Sequence, residues 1–237
     1  VLDSTKPTAD PLAEHMASFD PATEAPVLDG RPYVNHRPRP HIYTSEQIDT
    51  LLRAAGRLTP EVRAVTWQTL LGLLAVTGLR ISEARGLNDA DITSDKDGDG
   101  GWVRVTESTF GKSRIVPVHA TTMRGIGVYQ RLRDKRFPIR RTEALFVTRR
   151  GDRLATSTSG QAFRQIRALA GMTGTTTEAA ARLHDFRHSF ATNTLIGHIR
   201  AGGDVEQMMP VLSVWLGHVS PVSTYWYLQN TPELAAA

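Results

Sequence analysis

Residues 69–79, TLLGLLAVTGL, constrain the fold of this chain more than any other stretch. Four leucines in five positions, Leu70, Leu71, Leu73 and Leu74, leave too little polar surface for water, so a helix here is buried. Thr59 as N-cap and Pro60 at the first helical position set its start, and Gly78, tolerant of a left-handed backbone, sets its stop. The apolar run is too short to span a bilayer, which takes about 20 residues. A helix that must be covered on all sides, in a chain of 237 residues that is 40% apolar, predicts a packed core around it.

The covering elements are legible in outline. Thr44 with Gln47 forms a capping box ahead of IDTLLRAA and predicts a first helix. A short helix is expected from Ser82. WVRVT at 102–106 and SRIVPVH at 113–119 alternate like strands, with Phe110 and Gly111 in the turn between them. Helices are predicted over 121–136, 159–170, 184–198, 204–216 and 221–230, and a short strand at ALFVT, 144–148. The fold class is mainly α with a small antiparallel β-sheet, α+β. Residues 1–41 stand apart: residues 1–40 hold seven of the thirteen prolines and little apolar periodicity. They read as a linker or the remnant of an N-terminal domain.

Cysteine is absent, which excludes disulfides and thiolate-bound metals and fits a reducing cytosol. No signal-peptide pattern and no spanning segment is found, so the expected location is cytoplasmic. Charge is divided along the chain. Residues 1–30 carry one base and six acids, net −5; the whole chain is +4, which leaves +9 on residues 31–237. Between 131 and 153 nine bases face three acids, and arginines outnumber lysines by 24 to four. Guanidinium forks match phosphate oxygens in pairs, so this bias suits a polyanion as well as it suits a solvated basic face. RPYVNHRPRPH at 31–41 reads as an extended basic strap or a proline-rich linker.

Four stretches could carry chemistry. In TGLRISE, Arg80 sits in a tight turn just past the buried helix, placed to bind an anion or to satisfy helix-end carbonyls. In HDFRHSFAT, His184 and Arg187 share a helix face. Guanidinium beside neutral imidazole suits a phosphodiester, the one binding an oxyanion and the other moving a proton. His184 and His188 also have the i, i+4 spacing of helical zinc ligands. Asp185 replaces the glutamate such helices use, though, and Arg187 would repel a dication. A buried polar cluster is the third reading. Lys112, at a hairpin tip in TFGKSRIVPV, is either solvated or a general acid. In LGHVSPVSTYWYLQN, Ser220 and Pro221 open a helix on which Tyr225 and Tyr227 lie about 200° apart, so they cannot both face one site.

LLAVTGLRISEARGLNDADI, GKSRIVPVH, LHDFRHSFAT and WLGHVSPVSTYWYL occur in the order and spacing of the tyrosine recombinase, or phage integrase, catalytic domain. The resemblance runs from about residue 42 to residue 230 and looks closest to recombinases borne on transposable elements. It implies that residues 42–237 form the catalytic domain of a site-specific DNA recombinase or integrase, which cuts and rejoins strands through a 3′-phosphotyrosyl link without metal, cofactor or ATP. It implies the nucleophile Tyr227, nine residues after His218, with Tyr225 left to pack. Arg80 and Arg187 would clamp the scissile phosphate, His184 would help deprotonate Tyr227, His218 would bond a phosphate oxygen, and Lys112 would protonate the leaving 5′ oxygen. The implied partners are a double-stranded DNA recombination site and further copies in a synaptic tetramer, with no membrane, on the nucleoid of a bacterial or phage host. A DNA-binding module without turnover and a type IB topoisomerase share these features. From charge alone, Arg104, Arg114, Arg149 and Arg150 are candidates for DNA phosphate contacts.

Overall fold

The computed structural model describes residues 40–106, 113–173 and 181–217, together with the backbone of three short strands nearer the N-terminus. Two compact units divide between Pro38 and Arg39. In the first, β1 (Phe19–Asp20), β2 (Ala25–Leu28) and β3 (Arg31–Pro32) pair antiparallel in that order. The linker reading of residues 1–41 did not anticipate them. Strands of two to four residues, two of them containing proline, are too short to show an alternating pattern.

The second unit runs α1 (Ser45–Ala55), α2 (Glu61–Thr77), α3 (Ile81–Gly86), a 3-10 turn (Asp89–Asp91), β4 (Ile92–Ser94), β5 (Gly100–Val105), β6 (Arg114–His119), α4 (Ala120–Arg136), α5 (Thr156–Leu169), α6 (Asp185–Arg200) and α7 (Val205–Leu216). This is the expected mainly α fold with one small antiparallel sheet. Helix α2 lies at its centre, against α1, α3, α4 and α6. Val62, Ala64, Trp67, Leu70, Leu71, Leu73 and Leu74 are all buried. Each such large side chain contributes about 1.5–3 kcal/mol when taken out of water. The predicted capping box is present on α1: Thr44 Oγ1 accepts from the Gln47 N–H at 3.2 Å, and Gln47 Oε1 from the Thr44 N–H at 3.0 Å. Helix α2 starts one residue later than expected. Pro60 has an extended backbone and is itself the N-cap, and no side chain caps the end.

In the sheet β5 is central, antiparallel to both β4 and β6. Val103, Val105, Val116 and Val118 face the core, while Trp102, Arg104 and Ile115 face out. Strand β4 was missed because three residues, ITS, carry no periodicity. The predicted strand at 144–148 is a correction in the other direction. It makes only isolated bridges, Asn88 to Ala144 and Val147 to Arg153. Its apolar residues, Ala144 to Val147, are buried on all sides because they line the core rather than a ladder. The predicted turn at Phe110 and Gly111 and the helix at 221–230 lie outside the described residues. Among those described, no helix is long and apolar enough to cross a membrane.

Candidate active site

The turn that leaves α2 is fixed by sterics before any charge enters. Gly78 has φ 63°, and a Cβ there would lie 2.5 Å from a ring carbon of Phe190. Glycine is therefore required twice, for a left-handed backbone and for close approach. Two residues on, Arg80 rather than Ser82 stands at the N-cap of α3. Its N–H donates to Glu83 Oε2 at 2.9 Å and its Nη1 to Glu83 Oε1 at 3.0 Å. The same carboxylate receives both terminal nitrogens of Arg114, at 3.0 and 2.8 Å. Burial opposes ionisation of Glu83, but the Arg114 side chain and the Arg80 N–H outweigh it and hold its pKa below the ordinary carboxylate value. Glu83 was not singled out from sequence. The available signal was an acid three residues after an arginine at a helix start, the return position of a capping box.

Arg187, on the first turn of α6, is buried. Nη1 donates to the carbonyl of Gly78 at 2.9 Å and Nη2 to that of Leu216 at 2.6 Å. Arg187 thus ties the turn carrying Arg80 to the end of α7, two residues before His218. Trp215 reinforces the junction, donating Nε1 to the Thr77 carbonyl at 2.9 Å. Arg114 Nε donates to the Trp215 carbonyl at 2.8 Å. Helix α7 then ends on Gly217, at φ 66°, where a Cβ would meet Arg114 Nη1 at 2.8 Å.

His184 is the N-cap of α6. Its pKa lies below the ordinary 6.5, first because burial disfavours the charged ring, then because Arg187 repels it; Asp185 opposes this, and Arg182 and Arg80 add to it. The imidazole is therefore neutral at neutral pH. Arg80 lies over a hundred positions from His184 and Arg187 in sequence, yet all three share one electrostatic environment. His188 packs edge to face on His184 with ring centroids 4.8 Å apart. Among the described residues no group of three or more His, Asp or Glu is arranged to hold a metal. Lys112, His218, Tyr225 and Tyr227 lie outside the described residues.

A model of the phage integrase family matches residues 42–233.

The chain belongs to the phage integrase family.

It is 37% identical over 229 residues to a Sinorhizobium fredii protein, y4rB, which bears an integrase/recombinase name; the match covers 94% of this chain and 72% of that one. Against the tyrosine recombinase XerD of Mycobacterium tuberculosis it is 32% identical, over 91% of this chain and 63% of XerD. The XerH site-specific recombinase, solved bound to palindromic difH substrate as a post-cleavage complex, superposes with a TM-score of 0.68 at 18% identity, covering 89% of this chain and 55% of XerH. The XerA recombinase gives 0.63 at 25% identity, over 89% of this chain and 66% of XerA. The fold is therefore that of the tyrosine recombinase catalytic domain.

The four arginines expected on DNA phosphates divide. Arg104 is exposed on the outer face of β5. Arg149 and Arg150 are exposed and line a cavity of about 600 Å³ with Arg63, Thr158, Gln161 and Gln165. Arg114 differs from them: all three of its guanidinium nitrogens are engaged within the fold, by Glu83 and Trp215. The 131–153 cluster divides likewise. Arg133 is buried and binds both oxygens of Asp89, at 2.8 and 3.1 Å, and the Leu145 carbonyl at 2.8 Å. Arg153 donates to the carbonyls of residues 85 to 87 at the end of α3. These two arginines hold the fold together.

Proposed function

We propose that this chain is a site-specific DNA recombinase, breaking and rejoining strands through a 3′-phosphotyrosyl intermediate, with residues 42–237 as its catalytic domain. The observation that carries the proposal is the position of Arg187. It bridges the turn of Arg80 to the residues just before His218, beside a His184 that burial keeps neutral, in a chain of the phage integrase family.

In the proposed reaction the Tyr227 oxygen attacks the scissile phosphorus. Its proton passes toward His184, which can accept one because it is neutral. The P–O5′ bond breaks, and the leaving 5′ oxygen takes a proton from Lys112 to become a free hydroxyl. Arg80 and Arg187, with His218 on a phosphate oxygen, offset the charge that builds on the pentacoordinate phosphorus. A free tyrosine has a pKa of about 10 and is a poor nucleophile at neutral pH, so the cationic surroundings are what make the attack feasible. One phosphodiester is exchanged for another, and resealing reverses the step with a different 5′-hydroxyl. The proposed partners are duplex DNA and further copies of the chain, joined as a tetramer across two sites. The proposed location is the cytoplasm, on the nucleoid, in a bacterial or phage setting.

The deciding experiment uses a nicked suicide duplex that traps the covalent adduct, with mass spectrometry to find the modified tyrosine. Nucleotide on Tyr227, and no adduct with Tyr227→Phe, is the expected result. Binding without any adduct from the unaltered chain would make it a DNA-binding module. Relaxation of plasmid DNA lacking a specific site would make it a type IB topoisomerase.

A further inference from the structure

We infer that Arg114 is a positioning residue: it neutralises Glu83 so that Arg80 keeps its full positive charge for an anionic ligand. The inference rests on the proposed strand cleavage and assigns Arg114 a part in it that touches no DNA.

The charge balance carries the argument. The Glu83 side chain is only 4% exposed, and it is shared by two guanidinium groups. Arg114 takes the larger share, one terminal nitrogen on each oxygen, while Arg80 places one side-chain nitrogen on Oε1. Two cations against one anion leave a net charge of +1 at the Arg80 turn. A lone Arg80–Glu83 pair would be neutral. In surroundings this dry, the carboxylate would draw the Arg80 fork into its own bidentate pair, away from an incoming phosphate. Arg80 is the member with a path outward. Its side chain is 20% exposed against 9% for Arg114, and its Nε and Nη2 have no partner among the described residues.

Arg114 also holds the far side of the site. Its Nε bonds the Trp215 carbonyl at 2.8 Å, and its guanidinium fills the space beside Gly217 that a Cβ would need. One side chain on β6 thus fixes both the start of α3, where Arg80 sits, and the turn that precedes His218. A lysine could return the charge but not the fork, since one ammonium cannot meet two carboxylate oxygens and a carbonyl in one plane.

The test measures covalent adduct formation on the nicked duplex, duplex affinity across salt concentrations, and thermal stability for Arg114→Gln, Arg114→Lys and the pair Glu83→Gln with Arg114→Gln. Arg114→Gln is expected to slow cleavage of bound DNA about 10²-fold, the size of losing one preorganised charge donor. Duplex affinity and its salt slope fall by at most one phosphate contact, that of Arg80, and the double variant restores both. Arg114→Lys recovers part of the rate. The double variant cleaves faster than Arg114→Gln alone, because a neutral residue 83 no longer draws Arg80 inward; a purely structural role predicts the reverse. Unchanged cleavage of bound DNA by Arg114→Gln, or no recovery in the double variant, overturns the inference. So does a salt slope that stays lower by about 0.9 in the double variant, the mark of a phosphate contact made by Arg114 itself. Titration with orthovanadate reads the same charge without cleavage. Tenfold weaker binding by Arg114→Gln is expected, and equal binding overturns the inference even if the chain proves not to cleave DNA.

Discussion

The indole of Trp215 donates to the carbonyl of Thr77 at 2.9 Å, joining residues 138 positions apart. Thr77 is the last residue of α2, so its carbonyl lacks a partner within the helix. Trp215→Phe keeps the ring stacked on Phe190 but removes the donor. The expected cost is about 1–2 kcal/mol, or a melting temperature lower by ~2–8 °C for a chain of this size. A thermal melt monitored by circular dichroism checks it, and an unchanged midpoint would mean water replaces the indole at no cost.

Gly78→Ala places a methyl group on a backbone at φ 63° and within 2.5 Å of the Phe190 ring. The left-handed backbone alone costs ~1–2 kcal/mol, and the collision adds to it. Because Arg80 follows two residues later, adduct formation should fall by more than the loss of folded protein explains. Urea titration and the suicide-duplex assay on the same preparation separate the two effects.

Arg187→Lys retains the charge but can satisfy only one of the carbonyls of Gly78 and Leu216 that the native fork meets. One buried carbonyl loses its partner, a destabilisation of about 1–3 kcal/mol. Arg187→Ala leaves both unmet and should cost more. Chemical denaturation ranks the three proteins.

His184 gives a pH dependence of definite sign. Burial, then Arg187, lowers its folded pKa below the unfolded 6.5, so the unfolded chain binds the proton more readily. Its contribution to stability is complete above 6.5 and is lost as pH falls toward the folded pKa. Adduct formation should persist below pH 6.5 and decline only as the ring charges. Replacing His184 by Gln should remove that acid limb. An acid limb at 6.5 or above in the native chain contradicts the lowered pKa.

Arg104, Arg149 and Arg150 are exposed on described segments. If each meets one phosphate, the triple Ala variant should reduce the slope of log affinity against log salt by about 2.7. Melting temperature should be nearly unchanged, because none of the three has a hydrogen bond from its side chain among the described residues. Fluorescence anisotropy across a salt series measures the slope.

Sequence alone determined the elements whose cause is local. The leucines of residues 70–74 demanded a buried helix, Thr44 and Gln47 wrote their own cap, and Asp204 stands at the start of α7, accepting from the Glu206 N–H at 2.8 Å. Each signal lies within one or two turns of chain, where periodicity and capping operate. The pairing of His184 with Arg187, three residues apart, is local in the same way, whereas Arg80, over a hundred positions away, was joined to them only by the resemblance.

Tertiary structure decided the use of each charge. Arg114 and Arg104 sit on adjacent strands of similar composition, yet one is locked to a buried carboxylate and the other faces outward. Arg133 and Arg149 belong to one basic run, yet one bonds Asp89 inside the fold and the other lines a cavity. A guanidinium binds a carboxylate, a carbonyl or a phosphate with the same fork. Its partner is set by which acceptor the folded chain brings within 3 Å or so, and that depends on residues dozens of positions away.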